Sequence, residues 1–232
     1  MFQATQLIGF GAKRAAASAA KVVTYQTQNS TNGPQTTYTW TTQAIGTAAS
    51  DRYVILAVVA LNNSAAVPTD AKVNSVSMGT RLVRCQRGGG TVDFYCALVT
   101  SGTTAQFDVV FGVAPDRCGI MIWSATGLSS SAAVGTGTNT GATSPYVTGS
   151  FSTSNGGFVV GAACDNVGSA TWSSQSMTGG GAATFTEDYD GIWGGSPTMM
   201  GMHSGSTNGT SCTVSVSQSS SNANGGFAVV SF

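Results

Sequence analysis

Residues 52–61 read RYVILAVVAL, with no charged side chain after Arg52. A run of this length is compatible with a buried helix or a strand. Its valines and isoleucine, and the turn-forming residues around it, favour a strand. Apolar residues here are continuous rather than alternating, so the strand should be covered on both faces. Outward from this run the pattern repeats. VVTYQTQ and TTYTWTTQAI precede it and alternate, with Tyr38 and Trp40 on one face. After it come VNSVSM at 73–78 and a hairpin from RLVRCQ through Gly88-Gly89-Gly90 to VDFYCALV. AQFDVVFG at 105–112 and CGIMIWSATG at 118–127 follow, separated by a turn at Pro115. A polar, low-complexity loop spans 128–145, and then YVTGSF, GGFVVGAAC, SATWSS, ATFTEDYDGIW, TMMGMHSG, CTVSVS and GGFAVVSF resume the strand pattern. The expectation is an all-β fold: one antiparallel, jelly-roll-like β-sandwich over residues 22–232. GGFVVGAACDN and GGFAVVSF echo RYVILAVVALNN; they read as core strands of that sandwich rather than as true repeats.

Residues 1–21 differ in composition. They hold AAASAA and three of the nine basic residues; a short helix or an extended arm fits this composition, and either reads as an N-terminal arm that docks on something else. Phe2, Leu7, Ile8, Phe10, Lys13 and Arg14 are its candidate anchoring residues. Its apolar residues precede its charges, the reverse of a secretory signal, so production in a cytoplasm is expected.

Charged residues make up 8% of the chain and the net charge is zero. So few basic residues argue against nucleic-acid binding through a basic surface. At 41% hydrophobic the chain is too apolar to be wholly disordered. No apolar run reaches the roughly 18 residues of a membrane helix, so no membrane partner is expected. Gly, Ser and Thr together fill 91 positions, which points to an outer face of hydroxyls and glycine. Cys85, Cys96, Cys118, Cys164 and Cys212 show no CxxC spacing, and most lie in apolar runs. They read as buried thiols, with one or two disulfides as the alternative.

The order DRYVILAVVALNN, NSVSMGTRLVRCQR, FYCALVTSGTTAQFDVVFG, RCGIMIWSATGLSS resembles a group of β-sandwich domains in virion proteins of tailed bacteriophages. Arg52 to Ala60, Val76 to Gly79, Thr100 to Thr103 and Ile122 to Leu128 carry the resemblance, and GFVVGAAC and GGFAVVSF match its closing strands. It covers about residues 50–232 and leaves the first 21 outside. Its motifs describe strands and turns and name no chemistry. The resemblance implies a virion protein assembled in the host cytoplasm, on the head, collar or tail.

Candidate sites are few. His203 is the only histidine, so any Ser-His-Asp triad must use it, yet no GxSxG is present. No catalytic residue, cofactor or metal is assigned. Glu187, Asp188 and Asp190 in TEDYDG are a weak calcium candidate, since a hard cation would neutralise them; a solvated turn is the plainer reading. Paired carboxylates could also serve glycoside hydrolysis, but the spacing does not single that out. Arg81, Arg84 and Arg87 recur every third residue. On a strand, 81 and 87 would share a face opposite 84. They read as a solvated edge or as a partner-docking row. Trp172, Tyr189 and Trp193 lie near glycine-rich turns and could stack on a host-surface glycan. Residues 1–90 hold eight basic and two acidic side chains, a net of +6, and residues 91–232 hold one and seven, a net of −6. Opposite patches of that kind would suit head-to-tail contact. The leading expectation is a non-enzymatic head decoration or cement protein. It would contact other virion proteins (capsid, portal or tail) and further copies of itself. The alternative is a tail or collar carbohydrate-binding module.

Overall fold

The computed structural model describes residues 19–61, 66–139, 141–166, 168, 170–179, 181, 183–193, 197–220 and 225–232. Among these, all regular structure is strand. The first half of the chain forms β1 (Val22–Asn32), β2 (Thr37–Ala44), β3 (Tyr53–Leu61), β4 (Pro68–Val73), β5 (Val76–Ser77), β6 (Val83–Arg87), β7 (Gly90–Leu98), β8 (Thr104–Phe111) and β9 (Arg117–Thr126). The second half forms β10 (Gly135–Asn139), β11 (Tyr146–Val147), β12 (Phe151–Gly157), β13 (Val159–Asp165), β14 (Trp172–Thr178), β15 (Phe185–Ile192), β16 (Thr198–Ser204), β17 (Thr207–Gln218) and β18 (Gly225–Ser231). The anchoring residues Phe2, Leu7, Ile8, Phe10, Lys13 and Arg14 lie outside the described residues.

These strands make antiparallel sheets. β1-β9-β3-β7-β6 form a first inner sheet and β2-β8-β4-β5 a first outer sheet. β10-β18-β13-β16-β15 form a second inner sheet, and β11, β12 and β14 pair with β17 in a second outer layer. Among the described residues, every pairing stays within its own half.

Side-chain alternation shows how the layers stack. On β3, Val54, Leu56, Val58 and Ala60 face the first outer sheet, where they meet Trp40, Phe107 and Val109. Ile55, Ala57, Val59 and Leu61 face the opposite way and meet Val160, Ala162, Ala228 and Val230 of the second half. β13 and β18 behave alike: Val159, Ala163, Phe227 and Val229 turn outward onto Trp172, Val214 and Val216. The order is therefore outer sheet, inner sheet, inner sheet, outer sheet. The central strands of both inner sheets are dry on both faces, and that is why RYVILAVVAL shows no alternation. β8, in an outer layer, alternates cleanly along TAQFDVVF.

The chain is thus an all-β, antiparallel sandwich structure with its sheets in four layers. The two inner sheets also share one strand order. Replacing β1, β9, β3, β7 and β6 by β10, β18, β13, β16 and β15 maps one onto the other in chain order. The echo between RYVILAVVAL and GGFVVGAAC is the echo of β3 and β13, which hold the same central place in their sheets. They are core strands that hold equivalent places in two inner sheets of one strand order.

Two features fix this stack. The inner sheets approach closely because Gly201 has no side chain: a Cβ there would lie 2.8 Å from Met121 Sδ and 3.1 Å from Trp123 Cζ2. Arg52, only 1% exposed, opens β3. Its guanidinium donates to the carbonyls of Gly46 (2.7 Å), Val99 (2.8 Å), Ser101 (2.7 Å) and Gly102 (2.8 Å). These bonds replace the water the charge loses and tie two loops to the end of the central strand.

Gly201→Ala is expected to destabilise the protein by about 1–3 kcal/mol through overpacking. Gly149→Ala, where no atom lies within 4 Å of the added Cβ, should stay within about 0.5 kcal/mol of wild type. Urea denaturation checks both. Arg52→Lys keeps the charge but loses the planar fork, and the same measurement should show a loss of about 2 kcal/mol or more.

Candidate functional site

The polar residues singled out in the sequence fall into separate clusters. Several of these lie on the seam where the halves meet. Arg81, Arg84 and Arg87 do not form a row. Arg84 lies opposite Asp93 of β7, and its Nε donates to Asp93 Oδ1 at 2.8 Å. Arg81 Nε lies 3.1 Å from the same oxygen. Arg81 precedes β6, so strand alternation does not govern it, and it joins Arg84 rather than Arg87. Arg87 faces the second half, with its guanidinium carbon 5.3 Å from the centre of the Tyr146 ring. Tyr146 Oη donates to the buried Asp165 at 3.1 Å. The three arginines are therefore divided between an Arg81–Arg84–Asp93 ion cluster and an Arg87–Tyr146 contact.

Asp93 is fully buried. Loss of hydration raises its carboxyl to about 6, outweighing the opposing pull of Arg84 and Arg81. Sequence reading missed this residue. The available signal was a lone carboxylate in the apolar run VDFYCALV, one hairpin away from three arginines.

The three carboxylates of TEDYDG part company. Glu187 accepts from Gln175 Nε2 on the exposed side. Asp190 Oδ2 accepts the backbone N–H of Trp172 at 2.9 Å; burial raises its pKa, and that N–H partly offsets the rise. A bulge between Glu187 and Tyr189 turns Asp188 inward together with Tyr189. Asp188 Oδ2 then accepts Trp123 Nε1 of the first half at 2.7 Å, and its Oδ1 lies 2.7 Å from His203 Nδ1. Among the described residues, no group of three or more His, Cys, Asp or Glu side chains could hold a metal ion.

The expected sugar platform does not assemble. Trp172 is 4% exposed and packs in the second outer core, whereas Trp193 is 1% exposed and packs in the central core. Tyr189 leans on the central core, half-buried. The two indoles therefore offer no ring face to a ligand, and they belong to different layers.

His203 is held by Asp188 and borders a cleft of about 190 Å³ with Lys21, Phe158 and Ser206. Ser204 borders it too, but its hydroxyl already donates to Gly205 O and accepts from Val159 N, at 2.9 and 2.8 Å. It is not poised as a nucleophile against His203. Lys21 Nζ donates to Ser154 Oγ at 2.6 Å and so ties the root of the arm to the second half. Further clefts of about 240 and 340 Å³ adjoin Lys21 and Val22. Three hollows thus converge where residues 1–18 join the fold.

The five cysteines are buried and unpaired. Burial pushes the Cys96 thiol up to about 12 and raises Cys85, Cys118 and Cys164 as well. Such thiols behave as small apolar groups.

Dividing the charge at residue 90 cuts the hairpin β6–β7 and separates Arg81 and Arg84 from Asp93. Divided by the halves of the fold, residues 22–126 hold six basic and five acidic side chains, residues 127–232 none and four, and residues 1–21 three and none. The contrast lies between the basic arm and the acidic second half.

No protein-family model matches the chain, and no curated protein is significantly similar to it.

Asp93 carries a pH signature. Its folded pKa of about 6 exceeds the ordinary 3.8, so the folded state binds this proton more tightly than the unfolded state. That contribution is full below the ordinary value and fades as pH rises through about 6. Relative to Asp93→Asn, the wild-type unfolding free energy should therefore rise on the order of 2 kcal/mol between pH 7.5 and pH 4. Denaturant titrations of both proteins across that range check it.

Proposed function

We propose that this chain is a non-enzymatic structural protein of a tailed-phage particle, displayed on the virion surface as a head decoration or cement protein. The observation that carries this reading is where the charge goes. Outside the arm, Arg52, Arg84, Asp93 and Asp188 turn inward onto protein partners, and the part-exposed Arg81 joins Asp93 as well. The outer layers keep few charges, Asp70 and Lys72 on β4 and Asp108 on β8, beside uncharged strands such as TYTWTTQA and TNGTSCTVSVSQ. A surface of hydroxyls and amides suits close packing against neighbouring subunits, where shape and satisfied hydrogen bonds matter more than charge.

We further propose that each half is a jelly roll. β1-β9-β3-β7 opposite β2-β8-β4-β5 is an eight-strand arrangement of that kind, with β6 added at one edge. Jelly rolls recur in viral capsid and lectin domains. Burial of Trp172 and Trp193 removes the support for the lectin role, so the structural role is favoured. In this reading residues 1–21 anchor the protein. Residues 1–21 hold three positive charges, and the last of them, Lys21, donates to Ser154 of the second half.

Gold-labelled antibody against the folded chain, applied to purified particles, tests the proposal. Regular labelling of heads is expected, and deletion of residues 1–21 should leave the protein in the soluble fraction. Unlabelled particles would overturn the virion role. Unchanged labelling after the deletion would overturn the anchoring role alone.

A further inference from the structure

An asparagine followed by glycine is open to attack by the backbone amide on the asparagine side chain, because glycine has no Cβ to crowd the ring that forms. The chain holds four such pairs, at 32–33, 155–156, 208–209 and 224–225. The fold engages their glycines to different degrees. Gly33 is half-buried, and its N–H donates to Asp116 O at 2.9 Å. Gly209 is half-buried and in register with Thr153, whose hydroxyl donates to the Gly209 carbonyl at 3.2 Å. Gly225 is buried and in register with Asp165 of β13. Gly156 is exposed, has a φ of 68°, and has no atom within 4 Å of where a Cβ would stand. It lies in the irregular stretch of β12 between Thr153 and Gly157. Among the described residues, neither Gly156 nor the exposed Asn155 has a register partner on β17. Beside them, Ser154 Oγ accepts from Lys21 Nζ at 2.6 Å and donates to Phe232 O at 2.8 Å.

We propose that Asn155–Gly156 is a self-modification site, which converts to aspartate or isoaspartate and so adds a negative charge to the cleft at the root of residues 1–21. The Gly156 backbone nitrogen attacks Asn155 Cγ. The N–Cγ bond forms, the Cγ–Nδ2 bond breaks, and Nδ2 leaves as ammonia with the proton of the Gly156 N–H. Water then opens the imide at either carbonyl, which gives aspartate or isoaspartate. The new carboxylate shares the cleft of about 240 Å³ that Asn155 and Gly156 line with Ala19, Ala20 and Lys21. The Lys21 ammonium is already drawn to that side by Ser154, so conversion fastens the segment leading to residues 1–18 more firmly to the second half. This goes beyond the virion reading and does not depend on it.

Peptide mapping of the folded full chain tests the proposal. Protein aged at mildly alkaline pH is digested with chymotrypsin, and electron-transfer fragmentation tells aspartate from isoaspartate. Asn155 should convert first. Asn32 should lag on the order of tenfold, the cost of freeing the hydrogen-bonded Gly33 N–H, and ageing in urea should remove that lag. An intact Asn155, or Asn32 or Asn208 converting as fast, would overturn the site. A lag that persists in urea would overturn its origin in the fold. The charge has its own readout. Asn155→Asp should slow tryptic cleavage after Lys21 on the order of threefold relative to Asn155→Ser, and salt should erase the difference. Equal cleavage of the two variants would overturn the fastening of Lys21.

Discussion

The packing of one inner sheet on the other is the contact on which the rest depends. It leaves β3, β9, β13 and β18 with no face to give to water, so each must be apolar on both sides. Polar and charged groups are displaced to strand ends, to outer layers and to edges. Those that remain inside arrive with partners: Arg52 with four carbonyls, Asp93 with two guanidiniums, Asp188 with an indole and an imidazole. A protein with two doubly covered sheets has few places where a charge costs nothing.

The same contact sets where precision is needed. Fully buried large side chains, among them Trp123, Phe94, Phe158 and Phe232, fill the central core. Each contributes roughly 1.5–3 kcal/mol by its burial. Their fit relies on the missing side chain of Gly201, since native interiors leave little spare volume. Trp123 serves two purposes there. Its ring packs across the seam, and its N–H reaches the inward-turned Asp188, so the core also positions the one histidine.

The strands were legible in the sequence because their pattern is local. RYVILAVVAL announced a doubly covered strand, and TAQFDVVF announced a half-covered one. The number of layers was not legible, because alternation tells whether a face is dry but not which sheet dries it. The candidate site was read less well, for the same reason. Arg81, Arg84 and Arg87 look like a row until Asp93, a hairpin away, collects two of them. Trp172 and Trp193 look exposed beside glycines until the second outer layer and the seam close over them. Spacing along the chain carries no record of contacts made between layers.

The strand order shared by the two halves bears on the order of events during synthesis. Every pairing of β1 to β9 is complete once Thr126 has left the ribosome, so the first half can collapse by itself. Its inner face, with Ile55, Phe94, Met121 and Trp123, then stays bare until β18, roughly a hundred residues later. At translation speeds of about 5–20 residues per second this interval lasts several seconds. During it, the natural occupant of that apolar face is the same face of another nascent chain. Chain elongation thus becomes a competitor of misassembly, and the speed with which the second half arrives is part of how the first half stays single.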